Sequence, residues 1–251
     1  MILRVPSGIK GLDEILEGGF PMGSFILLVG PPDTSKEDFL YTLSVRIFRL
    51  NGSSLSENQV LPDRIWYLTL TTTKEEVMQD VQGKFSEDFC RAFSKSLFRP
   101  FWELPSSLGD LAKWLRQANG KRVRELKEKI FSDFSKFLER ETSNSLLILF
   151  SLNDFAMFFR EEEKLEFLAV LEEVKGSVKK WGTLLLASLV PGVLDSSLEA
   201  GILSRAEGIL YFRKEQDGRE ILACEKLPGS LLEGKRFQLQ VTREGVDLSP
   251  L

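Results

Sequence analysis

Short apolar segments that alternate with amphipathic helical patterns constrain the fold of this chain more than any other feature. Runs of apolar residues predict buried strands, and apolar residues that recur every three or four positions predict helices. The predicted strands are 25–29, 65–70, 97–101, 146–150 and 183–188. The predicted helices are 36–50, 74–81, 107–117, 121–140 and 161–178. This alternation is typical of an α/β protein with a mainly parallel central sheet flanked by helices.

The pattern changes after residue 207, where shorter alternating segments replace the strand–helix repeat. These segments are 209–213, 221–226 and 237–241, with turns at Asp217-Gly218 and Glu233-Gly234 between them. Closely spaced strands joined by such turns predict an antiparallel meander that closes the sheet at its C-terminal side. We expect a single domain over 1–251, with a variable helical region at about 80–140.

The composition argues against several kinds of function. The chain has no histidine, and its two cysteines, Cys90 and Cys224, give no sign of a disulfide framework or a zinc site. A net charge of −4 provides no general attraction to nucleic acid. No apolar run has the length of a membrane span, and the N-terminus has no secretory signal pattern. We therefore expect a cytoplasmic protein that binds neither membranes nor nucleic acid.

The opening segment carries a long ordered motif. It reads Ser7-Gly8-Ile9-Lys10-Gly11-Leu12-Asp13-Glu14-Ile15-Leu16, then Gly18-Gly19-Phe20-Pro21 and Gly23-Ser24. This motif resembles the opening of the circadian-clock KaiC and RadA branch of RecA-type ATPases, and the resemblance runs with gaps to Glu244-Gly245-Val246. It implies a RecA-like P-loop NTPase fold, in which the segment leads into the first strand and a phosphate loop. Domains of that type associate head-to-tail, with nucleotide at the subunit boundary.

The phosphate loop departs from the pattern that the resemblance implies. The family pattern G-P-P-G-T-G-K-T is matched here by Gly30-Pro31-Pro32-Asp33-Thr34-Ser35-Lys36-Glu37. Glycines in such a loop let backbone N–H groups approach the phosphates, and the last hydroxyl holds magnesium. Two glycines and that hydroxyl are missing. The candidate binding residues of this remnant phosphate loop (residues 30–37) are Gly30, Thr34, Ser35, Lys36 and Glu37.

Charge in the remnant phosphate loop also opposes an anionic ligand. Asp33 and Glu37 outweigh the single positive charge of Lys36. Two like charges about 4 Å apart repel by roughly 4 kcal/mol at an effective dielectric near 20. In addition, Thr34 and Glu37 have capping-box spacing, so we predict that they cap the following helix themselves. The alternative is that Glu37 points to solvent and the loop binds nucleotide weakly.

The acids that active relatives use after two strands are also displaced. The resemblance implies a water-activating Glu after the second strand, but residues 68–73 contain no carboxylate before Glu75. It implies a magnesium-anchoring Asp at the end of strand 146–150, which instead ends in Phe150 and Ser151, with Asp154 further on. We therefore expect no catalytic and no metal-binding residues in this chain.

The family's K-x-R-G segment, which reaches the nucleotide of the neighbouring subunit, is altered as well. Here it reads Lys226-Leu227-Pro228-Gly229, which leaves Lys226 as a remnant trans contact. The combined changes predict a non-hydrolysing protein without a resident cofactor, which acts through a protein partner or as a homo-oligomer. Two alternatives stay open. One is a weak ATPase that binds ATP and magnesium with Glu75 or Asp154 in place of the lost acids, and the other is an accessory of DNA recombination or repair.

Overall fold

The computed structural model of the chain describes residues 2–70, 72–100, 120–157, 159, 161–226 and 234–251. The strands are β1 Arg4–Val5, β2 Phe20–Pro21, β3 Phe25–Val29, β4 Arg64–Thr69, β5 Leu97–Pro100, β6 Ser145–Phe150, β7 Leu184–Leu189, β8 Gly208–Lys214, β9 Glu220–Lys226, β10 Lys235–Thr242 and β11 Gly245–Pro250. The helices are α1 Lys10–Ile15, α2 Lys36–Arg49, α3 Lys74–Lys84, α4 Glu87–Phe93, α5 Gly120–Glu141, α6 Leu152–Ala156, α7 Lys164–Lys180 and α8 Ser196–Arg205. A 3₁₀ turn, Glu161–Glu163, precedes α7.

A nine-stranded sheet in the order β11-β10-β9-β8-β3-β7-β6-β4-β5 forms the centre of the described structure. The six strands from β8 to β5 in this order are parallel, and β9, β10 and β11 continue the sheet antiparallel beyond β8. The prediction of an α/β fold with a C-terminal antiparallel meander is confirmed. The meander has one strand more than predicted, because β11 follows β10 after a tight turn.

Most predicted strands and helices lie within a residue or two of the observed ones. Strand 25–29 is β3, and helix 36–50 is α2. The predicted helix 107–117 lies outside the described residues, as does Phe101 at the end of the predicted strand 97–101. The prediction missed the two-residue strands β1 and β2 and the short helices α1, α4, α6 and α8, which are 6, 7, 5 and 10 residues long. In α8 only Leu198 and Ile202 are buried, so its apolar periodicity is weak.

The sheet is covered by helices on both faces, which explains why its central strands are apolar at every position. In β3 all five residues are buried. Ile26 and Leu28 belong to the core cluster that contains α2, α3 and α4, whereas Leu27 and Val29 belong to the cluster that contains α5 to α8. The sheet therefore holds the carboxyl end of β3 rigidly between two packed layers.

The opening motif (residues 7–24) fixes the path of the chain before β3. Both carboxylate oxygens of Asp13 accept hydrogen bonds, from the backbone N–H groups of Ser7 at 2.7 Å and Gly8 at 2.8 Å. Gly8 has φ +70°, and a Cβ there would lie 2.7 Å from the side chain of Arg46 in α2. Burial raises the pKa of Asp13, and its two backbone bonds act in the opposite direction. The motif thus fixes the chain path into β3 and α2.

None of the helices in the described part of the chain combines the length and the hydropathy that a membrane span requires.

Candidate functional site

The remnant phosphate loop lies between β3 and α2, at the carboxyl end of the parallel part of the sheet. This is the edge at which ligands bind in open α/β sheets. Val29 at the end of β3 is aligned with Tyr211 of β8, so β8 continues for three residues beyond β3. Its last residue, Lys214, is paired with Glu220, the first residue of β9. The β8–β9 hairpin (residues 208–226) therefore places its closed end beside the loop.

The first half of the loop is closed on itself. The backbone N–H and the Oγ1 hydroxyl of Thr34 both donate to the carbonyl oxygen of Pro31, at 3.2 and 2.7 Å. Gly30 packs so tightly that a Cβ there would lie 2.8 Å from Thr34 Oγ1 and 2.9 Å from Phe212 of the hairpin. Gly30 is therefore required for contact with the hairpin, independently of any ligand.

A carboxylate from the hairpin occupies the amino end of α2. The backbone N–H of Ser35 donates to Oε1 of Glu220, and the Ser35 hydroxyl donates to Oε2 at 2.7 Å. Helix amino ends bind anions because their free N–H groups and the helix dipole favour negative charge. The carboxylate of Glu220 therefore takes the place that a bound phosphate would have at this helix end.

The predicted capping box of Thr34 and Glu37 is wrong. Ser35 is the N-cap residue of α2, and it makes no side-chain capping bond to the described backbone. This start makes Glu37 the second helical residue, one position short of the third position that a capping box needs. The Thr34 hydroxyl bonds to Pro31, and the Glu37 carboxylate pairs with Lys36.

Lys36 and the loop acids are engaged within the chain. The Lys36 side chain is 1% exposed, and its Nζ lies 3.0 Å from Oε1 of Glu37 and 3.1 Å from the carbonyl oxygen of Pro31. Burial raises the pKa of Glu37, although the neighbouring Lys36 charge opposes the shift. Asp33 is exposed and forms an ion pair with Lys214 of the hairpin at 3.2 Å. The loop thus has internal partners for its charged side chains.

The end of β4 leads into a helix cap. Thr73 and Glu76 form a capping box at the start of α3, with hydrogen bonds in both directions between side chain and backbone. Glu75 is exposed on the first turn of α3. Thr71 lies outside the described residues.

The end of β6 is occupied by packing. The ring of Phe150 lies 6.1 Å from that of Tyr41 and 6.3 Å from that of Tyr67, measured between centroids. Asn153 in α6 is buried and exchanges two hydrogen bonds with the backbone of Val190, at 3.0 and 2.8 Å. Asp154, on the same helix, is partly buried.

Lys226 is placed away from the loop, at the far end of β9. Its Nζ donates to the carbonyl oxygen of Ala206 at 2.6 Å. Residues 227–229, the rest of the altered K-x-R-G segment, lie outside the described residues. The structure thus gives Lys226 a partner within its own chain.

The structure brings together four of the candidate binding residues and adds one that the sequence did not indicate. Thr34, Ser35, Lys36 and Glu37 all lie at the start of α2, and Glu220 joins them from a strand 185 residues further along the chain. No local motif marks Glu220, because its role depends on the pairing of β8 with β3. The loop as it stands does not fit a nucleotide phosphate with magnesium. Glu220 already accepts from Ser35, and Glu37 stands where the magnesium-binding hydroxyl is expected.

Comparison with known proteins agrees with the fold. The crystal structure of a KaiC-like protein from the hyperthermophilic archaeon Pyrococcus horikoshii superimposes with a TM-score of 0.63 and covers 100% of both chains, at 20% identity. A UPF0273 protein from Pyrococcus furiosus is 33% identical over 98 residues, which are 39% of this chain and 35% of that relative. A UPF0273 protein from Thermotoga maritima is 42% identical over 57 residues, which are 23% of this chain and 22% of that relative.

The matched segments thus span about a third or less of these curated relatives. The family model described as "ATPase: KaiC" matches residues 5–132, just over half of this chain. The matched residues include the opening motif, the remnant phosphate loop and α2. The chain therefore belongs to the KaiC family of RecA-like ATPases.

Proposed function

We propose that this chain is a non-hydrolysing member of its family, which acts through protein–protein contacts with an active relative or with further copies of itself. The observation that carries the proposal is the pairing of Lys36 with Glu37. The ammonium group is buried, and a carboxylate of the same loop lies 3.0 Å from it. An incoming phosphate would therefore have to displace an existing ion pair and approach Glu37.

The strand ends support the same conclusion. Phosphoryl transfer needs a positioned water, a metal and compensating positive charge at one place. Phe150, at the end of β6, packs against two tyrosine rings, and the segment after β4 serves to cap α3. Glu75 is exposed on the first turn of α3 instead of following β4 directly. The positions that would supply the acids serve the fold instead.

Exposed apolar side chains near the carboxyl ends of β6 and β7 favour a protein partner. Met157 after α6 is 73% exposed, Leu165 on the first turn of α7 is 80% exposed, and Val193 after β7 is 57% exposed. An ion pair of 3.0 Å between Lys164 and Asp195 ties the start of α7 to the segment that follows Val193. This ion pair places Leu165 and Val193 on neighbouring segments, and exposed apolar residues that lie close together are typical of interaction surfaces.

The first test is calorimetric titration of the unmodified protein with ATP and magnesium, alongside a phosphate-release assay. We expect no binding heat up to millimolar nucleotide and no release above the background. A micromolar dissociation constant together with turnover would overturn the proposal. Thermal stabilisation by ATP provides an independent readout, because a ligand that binds only the folded state raises the melting temperature.

The partner part of the proposal needs its own test. Sedimentation velocity over a range of protein concentrations reports self-association, and the phosphate release of an active KaiC relative, measured with and without this chain, reports regulation. Leu165→Glu should abolish whichever effect is found, whereas Leu251→Glu, a similarly exposed change at the C-terminus, should not. No self-association and no effect on the relative's activity would contradict this part.

A weak ATP-binding protein is the second candidate function. The observation that favours it is the position of Lys36 Nζ, which lies within the loop at 3.1 Å from the carbonyl oxygen of Pro31. A lysine that stays at the loop could contact a phosphate once Glu37 moves away. The same calorimetric titration distinguishes the two functions, since micromolar binding without turnover favours this second one.

A further inference from the structure

We propose that Glu220 is a tethered inhibitory anion, which the β8–β9 hairpin inserts into the remnant phosphate loop and which excludes phosphate ligands from the amino end of α2. This inference rests on the proposed function, because it concerns the same loop and names a device that keeps the loop closed. The proposed function rests on a different obstacle to phosphate binding, the ion pair of Lys36 with Glu37, which lies within the loop. Glu220 comes from a separate element, the β8–β9 hairpin.

The contact of Glu220 has the geometry of a bound anion. Both of its carboxylate oxygens are used, one by the Ser35 N–H and one by the Ser35 hydroxyl. Hydrogen bonds to a charged acceptor are stronger than neutral ones, and the helix dipole adds to them. A phosphate oxygen would need the same N–H group. Phosphate and Glu220 therefore compete for one donor.

The hairpin end is suited to carry such a group. The segment between β8 and β9 turns through a hydrogen bond from Glu215 N–H to the carbonyl oxygen of Arg219, and Gly218 has φ +84°. Residues 213–219 are exposed, whereas Phe212, just before them, is buried against the loop. The contacts that hold the closed end to the loop are polar, namely Glu220 with Ser35 and Lys214 with Asp33. Release of Glu220 therefore does not require opening of the apolar core.

Tethering makes the inhibition effective. An anion on the same chain acts at an effective concentration of the order of millimolar or higher. A free phosphate ligand must exceed this competition before it binds measurably. Removal of the carboxylate frees the Ser35 N–H and removes one negative charge from the loop. We therefore expect the affinity for polyphosphate to rise at least tenfold in a variant without this carboxylate.

The experiment is calorimetric titration with inorganic tripolyphosphate, without magnesium, of the wild type, Glu220→Ala, Glu220→Gln and Glu225→Ala. Tripolyphosphate reports the phosphate site alone because it has no base and no sugar. Glu225 is the matched control, since it lies on the same strand, is exposed, pairs with Arg213 at 3.4 Å and changes the net charge equally. We expect binding to strengthen at least tenfold in Glu220→Ala, less in Glu220→Gln, and not at all in Glu225→Ala.

A folded Glu220→Ala variant with the affinity of the wild type would overturn the inference, and so would an equal gain in Glu225→Ala. If Glu220→Ala does not fold, Glu220→Gln decides, because it keeps the shape of the side chain and removes only its charge. Hydrogen exchange of the Ser35 amide gives a second readout. It should be slow in the wild type and faster in both Glu220 variants, and equal rates would also contradict the inference.

The outcomes separate this inference from the proposed function. Wild-type hydrolysis of ATP that is faster in Glu220→Ala would contradict the non-hydrolysing function and support the inhibitory role of Glu220. Absence of ATP binding in the wild type, with unchanged tripolyphosphate affinity in Glu220→Ala, would support the function and contradict the role of Glu220.

Discussion

The amino ends of α2 and α3 both receive a carboxylate, but the two carboxylates come from different distances along the chain. In α3 it is Glu76, three residues after the N-cap Thr73, and the cap is built within one turn. In α2 it is Glu220, 185 residues beyond Ser35. The amino end of α3 is therefore capped by local sequence, whereas the amino end of α2 receives its carboxylate only when the sheet has formed.

The two helix starts have the same local signal, since both contain a Thr followed three residues later by a Glu. Only the α3 pair forms a capping box. Thr73 is the N-cap residue of α3 and has an extended backbone with ψ 160°, whereas the N-cap residue of α2 is Ser35, one residue after Thr34, with ψ 31°. The hydroxyl of Thr34 is bound to Pro31. A capping motif is therefore informative only where the preceding loop leaves its hydroxyl available.

The largest expected effect is on nucleotide affinity, and it would make the end of α2 a phosphate site. Asp33→Gly, Ser35→Gly and Glu37→Thr remove both acids of the loop and restore the family pattern, and Glu220→Ala removes the carboxylate that the hairpin contributes. Relief of even half of the roughly 4 kcal/mol repulsion between like charges corresponds to about a 30-fold gain in ATP affinity. Calorimetry checks this, and Glu75→Thr at the α3 end should leave the affinity unchanged. Phosphate release should stay absent, because the acids expected after β4 and β6 are still missing. Rapid turnover would show that other carboxylates of the chain are catalytic.

A glycine pair gives the next largest effect, this time on stability. Gly30→Ala forces a methyl group to within 2.8 Å of Thr34 and 2.9 Å of Phe212, so we expect a loss of about 2 kcal/mol in the free energy of unfolding. Gly83→Ala in α3 meets no atom within 4 Å and should stabilise by about 0.5 to 1 kcal/mol through helix propensity. Urea denaturation of both variants measures the difference, and equal effects would contradict the tight packing of Gly30.

The two helix caps should contribute unequally to the free energy of unfolding. Glu220→Ala removes two hydrogen bonds to a charged group and should cost about 2 kcal/mol, whereas Thr73→Ala removes a local cap and should cost about 1 kcal/mol. The double variant should show the sum of both losses, because the two sites share no bonding partner among the described residues. Chemical denaturation of the three variants checks this. A larger loss for Thr73→Ala would reverse the comparison.

The smallest effect concerns pH, where the two helix ends should differ in sign. The bonds to Thr73 hold the pKa of Glu76 below its ordinary value of 4.5, so its stabilisation is present above that pH and is lost as the pH falls. Burial raises the pKa of Glu37 above 4.5, so its ionisation lowers stability as the pH rises through this range. Relative to the wild type, Glu76→Gln should therefore become less stable from pH 3 to pH 7, and Glu37→Gln more stable. Parallel denaturation series at several pH values measure both trends, and trends of equal sign would contradict this assignment.

The sequence by itself determined the fold class, because the period of its apolar residues depends on local geometry and the central strands are buried on both faces. The predicted strand 25–29 and helix 36–50 are observed as β3 and α2. The difference between residues 30–37 and the family pattern is likewise visible in the sequence alone. Short elements such as α4 and α8 were missed, since few apolar positions mark them. These properties need only information from neighbouring positions.

Only the tertiary structure decided which groups close the loop. Glu220 meets Ser35 because β8 pairs in parallel with β3 and runs past its end, and β9 then returns from the turn. The sequence therefore predicts Thr34 and Glu37 as the cap of α2, whereas the structure has Ser35 as the N-cap residue and Glu220 bound to it. A contact between residues 185 positions apart depends on strand order and register, and the free energy that selects them belongs to the packed sheet rather than to any local segment.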